Sequence, residues 1–198
     1  MYRLMILLFT IFTCCSTEPP RAGNVVTISG REPERFPLYR VTIPNDWEII
    51  LPDPDSALTD SRLALLECRS GDTLRVVFHN FPSADLKQRI PPQAQVERWK
   101  KQLNEIQTAS VITTPQSFSG YTGLLLQAEG KDTAVMGWAL QIGADHYRNL
   151  SYSDLPEQMR ADITIKATGT PLEIVRNRAK LQSIARSFEL IEEIPVSR

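Results

Sequence analysis

Cysteine is scarce in this chain: three among 198 residues, with Cys14 and Cys15 adjacent near the start and only Cys68 in the body. A disulfide framework is therefore excluded; one bridge from Cys15 to Cys68 is possible, nothing requires it, and Cys68 is expected as a buried free thiol. Histidine is scarcer still, at His79 and His146, with no His-x-x-x-His or Cys-x-x-Cys spacing, so no metal site is expected. An excess of one charge is also missing: 22 Lys and Arg stand against 23 Asp and Glu, a formal net charge of −1. Such an interspersed surface carries no footprint for nucleic acid. There is no Gly-x-Ser-x-Gly elbow and no phosphate loop, which removes the commonest hydrolase and nucleotide-binding signatures. Finally, the one long apolar run, Leu4 to Phe12, is nine residues. A spanning helix needs roughly 20.

What is present begins with that run. Arg3 precedes it, and it stops at Thr13-Cys14-Cys15 before the polar Ser16-Thr17-Glu18-Pro19-Pro20, the layout of an export signal. Ile11, Thr13 and Cys14 fill the places of a bacterial lipoprotein lipobox, and the segment resembles one. The resemblance implies cleavage and diacylglyceryl attachment at Cys14, whose thiol would be the nucleophile; a cut before Cys15 is the alternative. It implies a membrane-bound location in the bacterial envelope, since each buried acyl CH₂ adds about 0.8 kcal/mol of membrane affinity. The expected organisation is a signal over residues 1–14, a flexible tether over 15–35, one globular domain over 36–190 and a tail over 191–198.

Within the domain, Tyr39 to Ile43 alternates apolar and polar side chains, turns at Pro44-Asn45-Asp46 and resumes at Trp47. Leu63–Arg69 and Thr73–Phe81 predict a hairpin across Ser70-Gly71-Asp72. Pro91-Pro92 opens a helix with Val96, Trp99, Leu103 and Ile106 on one face and Glu97 placed to pair with Lys101. Tyr121–Ala128 and Thr133–Ile142 predict two more strands, the second apolar on both faces and therefore central. In Asp162–Thr168 the alternation leaves Asp162, Thr164, Lys166 and Thr168 on one wet face. Thr170-Pro171-Leu172-Glu173 is a capping box for a last helix, with Arg178 expected to reach outward from its apolar stripe.

Two stretches carry a resemblance to a known family: Tyr39-Arg40-Val41-Thr42-Ile43-Pro44-Asn45-Asp46-Trp47, and Ile163 to Thr168 running into the helix that ends Ile184-Ala185-Arg186-Ser187-Phe188. The domain resembles the PsbP-like family. That resemblance implies an α+β fold, an α/β/α sandwich of mainly antiparallel sheet with helices on its faces. It also implies a non-enzymatic accessory or binding role, without a cofactor.

Candidate chemistry is thin. Cys68 and His79 fall too far apart along the hairpin for a nucleophile–base dyad, either on opposite faces or about four residues apart. Thr168-Gly169-Thr170 is better explained by capping than by anion binding. The most suggestive polar stretch is Gly143–Pro156, expected as a binding loop through Asp145, His146, Tyr147, Arg148 and Tyr152. On that reading, Tyr147→Ala or Arg148→Ala weakens capture of an envelope protein or small ligand without lowering stability. The alternatives are an envelope hydrolase with Asp145 and His146 as an acid/base pair, and a structural envelope component.

Overall fold

The computed structural model describes residues 23–31, 36–52, 64–103, 110–151 and 157–191. Ten strands and three α-helices alternate along them. These are β1 (Gly23–Ser29), β2 (Pro37–Pro44), β3 (Glu48–Ile50), β4 (Leu66–Ser70), β5 (Leu74–Phe81), α1 (Pro92–Gln102), β6 (Ile112–Phe118), β7 (Tyr121–Glu129), β8 (Ala134–Ile142), α2 (Ala144–Ser151), β9 (Asp162–Gly169), α3 (Pro171–Ser187) and β10 (Glu189–Leu190). Seven strands form one sheet in the order β3-β4-β5-β9-β8-β7-β6, and β1-β2-β10 form a smaller one. Every pairing is antiparallel.

Side-chain alternation decides how the layers stack. Ala134, Met136, Trp138, Leu140 and Ile142 of β8 join Ile163, Ile165 and Ala167 of β9 in the main core. That face is covered by α3 and by the small sheet, through Ile28, Leu38, Tyr39, Val41 and Ile43. Phe188, just past α3, sits at its centre, with ring centroids 4.9 Å from Tyr39 and 6.0 Å from Phe78. The opposite face of β8 offers Val135 and Ala139 to Val96 and Trp99 of α1, a second core. β8 is thus buried on both faces, as its unbroken apolar run predicts. The fold is a mixed α+β antiparallel sandwich, the class read from the sequence; the small sheet sharing the α3 layer is an addition to it.

The capping box forms as expected: Thr170 Oγ1 accepts from the Glu173 N–H at 3.3 Å, and Glu173 Oε2 accepts from the Thr170 N–H at 2.9 Å. Arg178 is exposed, consistent with its outward reach.

Several expectations need correction. The tether does not extend to residue 35, because β1 pairs along its whole length with β2 and buries Ile28 completely. The β4–β5 turn is Gly71-Asp72-Thr73, so Ser70 faces Leu74 and Cys68 faces Val76, further along β5 than either register considered, which leaves Cys68 and His79 on opposite faces. β6 was not foreseen: Ile112-Thr113-Thr114-Pro115-Gln116 is polar and contains a proline, which an edge strand tolerates. Its two-residue turn to β7 places Ser119 and Gly120 at φ of 50° and 77°, the left-handed geometry such tight hairpins require. On α1, Glu97 pairs with Lys100 at 2.8 Å rather than with Lys101. Cys14, Cys15, Ile106, Tyr152 and the end of the tail lie outside the described residues.

Candidate functional site

The face of the large sheet that carries α1 is only partly covered. Among the described residues, α1 packs on β7 and β8 and leaves the same face of β5 and β9 open beside it. The gap is a cleft of about 700 Å³ with Val77, His79 and Phe81 of β5 and Thr164, Lys166 and Thr168 of β9 as its floor. Cross-strand register sets this floor, since Val77 faces Lys166 and His79 faces Thr164. Trp99 and Gln102 of α1 form the wall, with Arg98 exposed at the rim.

Close approach of α1 depends on Gly137. A Cβ there would lie 2.6 Å from Trp99 Cζ3 and 2.8 Å from Cε3, so glycine in β8 is what lets the indole lie on the sheet. Trp99 is consequently 2% exposed and fixes how far the wall stands from the floor.

The cleft is rich in positive charge. Lys166 Nζ donates to Gln102 Oε1 at 2.6 Å and has no carboxylate partner among the described residues. Burial pulls its ammonium below the usual lysine range, and the neighbouring Arg98 and Arg75 push it the same way. Arg75 shares the single carboxylate of Glu67 with Arg69, whose Nε lies 2.6 Å from Glu67 Oε1. One carboxylate therefore serves two guanidiniums. Among the described residues, no Asp or Glu lines this cleft.

At the Phe81 end the cleft meets a narrower cavity of about 190 Å³, with Phe81, Ile90 and Thr164 common to both. Its walls include Leu140, Gln95 of α1, and the Arg89–Asp162 pair. Gln95 is 4% exposed, and its Oε1 has no hydrogen-bond partner among the described residues. A buried acceptor left unpaired is costly, which makes this atom the most distinctive in the cavity. Asp162, by contrast, is fully engaged: Arg89 Nε lies 3.0 Å from Oδ2, and Oδ1 accepts from the Ile142 N–H at 3.3 Å.

The residues singled out from the sequence are placed elsewhere. Residues 144–151 are a helix, not a loop. Tyr147 is 4% exposed and points into the domain, where its hydroxyl donates to the Ser83 carbonyl at 2.8 Å and its ring lies 5.2 Å from the Arg89 guanidinium. An inward tyrosine is a core anchor, so removing it lowers stability, contrary to expectation. Asp145 is exposed and accepts from Arg148 Nη1 at 2.5 Å across one helical turn. His146 is half-buried beside the β6–β7 turn, where a Cβ on Gly120 would stand 4.0 Å from its ring. Cys68 faces the main core, and burial followed by the Glu67 charge pushes its thiol up to about 12. His79 lies on the opposite face of the sheet, stacked on Phe81 at 6.3 Å. Among the described residues, no group of three His, Cys, Asp or Glu is arranged to hold a metal ion. No described helix is long and apolar enough to cross a membrane.

Sequence reasoning missed Arg75, Gln95, Arg98 and Gln102, and saw Lys166 only as part of a wet strand face. Two signals pointed there: the alternation of β9, and the seven-residue spacing of Gln95 and Gln102, which sets both on one side of α1.

No family model and no curated protein matches the chain. Solved structures do. LpqN, described as involved in cell envelope biogenesis of Mycobacterium tuberculosis, is similar at a TM-score of 0.51 and 11% identity, over 84% of this chain and 91% of that one. The cyanobacterial PsbP of Synechocystis, CyanoP, is similar at 0.47 and 13%, over 77% and 86%. A Pseudomonas aeruginosa protein of unknown function is similar at 0.40 and 14%, over 83% and 96%. At these identities the likeness is one of fold, and the LpqN match places this chain among α+β sandwiches of that architecture.

Proposed function

We propose that the chain is an exported, lipid-anchored accessory module that binds a ligand at the bacterial membrane surface and catalyses no reaction. The observation that carries this reading is the cleft between α1 and the β5–β9 floor, where Lys166 sits partly desolvated with no carboxylate partner among the described residues. A concave site that combines apolar side chains with a few convergent polar groups is built to hold a ligand. The groups the sequence offered for catalysis are committed elsewhere: Cys68 to the core and Asp145 to Arg148. LpqN, similar in fold, is described as acting in envelope biogenesis, which fits an envelope setting.

The anchor limits where the module works. From Cys14 to Gly23 is nine residues, so the chain reaches at most about 30 Å between lipid and domain. The proposed domain is therefore held close over the bilayer, closer than a tether to residue 35 would allow.

The test is to express the full chain in a bacterial host, fractionate membranes and measure the mature mass by native mass spectrometry. The reading predicts a diacylglyceryl adduct on Cys14, loss of membrane association in Cys14→Ala, and a retained small molecule that is absent from Val77→Trp. A mature N-terminus beyond Cys15, or a wild-type chain that retains nothing, contradicts it.

A further inference from the structure

Resting on that reading of the cleft as a ligand site, we infer that its ligand is a soluble amphiphilic anion. It carries one acid group at Lys166, an apolar segment over Val77, Phe81 and Trp99, and a hydrogen-bond donor at Gln95.

Three features of α1 and β9 define the molecule. Gln95, Trp99 and Gln102 follow one another at intervals of four and three, so they share one side of α1, the side facing the cleft. Gln102 is the residue that touches Lys166, at 2.6 Å. From Gln102 back to Gln95 is seven residues, about 10 Å at 1.5 Å per residue. The cationic end and the orphaned acceptor are therefore two helical turns apart, with Trp99 between them.

Each end selects a chemistry. Lys166 and Arg98 at the wide end favour an anion, and the Glu67 carboxylate, across β5 from Lys166, is already divided between Arg69 and Arg75. An acid on Lys166 would gain a charge-assisted hydrogen bond in a partly desolvated place, the setting in which such bonds are strongest. At the narrow end, Gln95 Oε1 accepts and does not donate, so it discriminates for a hydroxyl or amide N–H and against an ether, ester or bare methyl. Asp162 beside it is neutralised by Arg89 and does not repel the acid at the far end. Between them, Val77, Phe81, Ile90 and Trp99 offer an apolar surface, interrupted by His79 and Thr164, that suits a mainly apolar segment.

The experiment uses isothermal titration of the full chain with three probes: ω-hydroxydecanoic acid, decanoic acid and decanediol. The hydroxy acid carries both end groups on a flexible chain long enough to span the two helical turns; each other probe lacks one. The expected order is hydroxy acid tightest, decanoic acid about fivefold weaker for the lost hydrogen bond, and the diol weaker than either. Lys166→Met is expected to weaken both acids by about tenfold or more and leave the diol unchanged. Gln95→Leu fills the orphan position with a residue of similar size that needs no partner, so it folds at least as well. It is expected to erase the difference between the two acids while leaving decanoic acid binding as in the wild type. Equal binding of the two acids to the wild type, or acid binding unchanged in Lys166→Met, overturns the inference. If those results appear while native mass spectrometry still finds a small molecule lost in Val77→Trp, the ligand class falls and the binding module stands; if nothing is retained, both fall.

Discussion

The Arg89 guanidinium and the Asp162 carboxylate meet beneath the narrow end of the cleft, Nε 3.1 Å from Oδ1 and 3.0 Å from Oδ2, with side chains 7% and 10% exposed. Arg89 Nη2 also donates to the Ile142 carbonyl at 2.8 Å, and its guanidinium lies over the Tyr147 ring. The pair ties the segment between β5 and α1 to the ends of β8 and β9. Arg89→Met removes the cation and leaves a buried carboxylate held by the Gln141 amide and the Ile142 N–H. The expected loss is about 3 to 5 kcal/mol, read as a lower urea midpoint with an unchanged slope. A loss under about 1 kcal/mol contradicts a buried, mutually dependent pair.

Tyr147 tests the corrected reading of α2. Tyr147→Ala opens a cavity in the main core and is expected to cost about 3 to 5 kcal/mol. Tyr147→Phe keeps the ring and removes the hydroxyl's bond to the Ser83 carbonyl, a loss of about 1 kcal/mol. Thermal and chemical denaturation of the two variants check this ladder, and a Tyr147→Ala form as stable as the wild type restores the surface role expected from sequence.

Gly137 is where the sheet admits α1. Gly137→Ala places a methyl group against the face of Trp99, and overpacking of this kind costs about 1 to 3 kcal/mol. Because the indole must move, a shift in Trp99 emission, followed in a form with Trp47 and Trp138 replaced by Phe, is expected alongside the loss. No change in either quantity contradicts the contact.

Glu67 sets the acid limb of stability. Arg75 is the largest influence holding its carboxyl below the usual range, desolvation opposes it, and Arg69 adds to it. A carboxylate with a lowered folded pKa contributes stability that is complete above its unfolded pKa and is lost as pH falls through the folded value. The urea midpoint is therefore expected to fall between neutral pH and about pH 3 more steeply in the wild type than in Glu67→Gln. Parallel slopes contradict the assignment.

How far the sequence was legible follows from which physical signal each element carried. β8 was readable from its unbroken apolar run and β9 from its alternation, although Asp162 and Thr164 on its expected wet face are buried under Arg89 and α1, and α3 because its cap is local chemistry within four residues, Thr170 to Glu173. β6 was not, since an edge strand needs no apolar face and tolerates Pro115. β1 looked like part of a tether because a single strand's worth of apolar residues is marginal until β2 pairs with it along seven residues. The Gly143–Ser151 stretch has the composition of a recognition loop, and only the packing of Tyr147 and Leu150 on the core makes it a helix. The cleft was hidden for a different reason. Lys166 comes from β9 and Arg98 and Gln95 from α1, more than sixty residues earlier, and nothing local to either element announces that α1 stops short of β5.

Amide hydrogen exchange, with and without a small-molecule extract of the bacterial envelope, tests the cleft most directly. Binding there predicts added protection in residues 75–81 of β5, 162–168 of β9 and 95–102 of α1, abolished in Val77→Trp. Unchanged exchange in those segments, or protection centred on α2, contradicts the account.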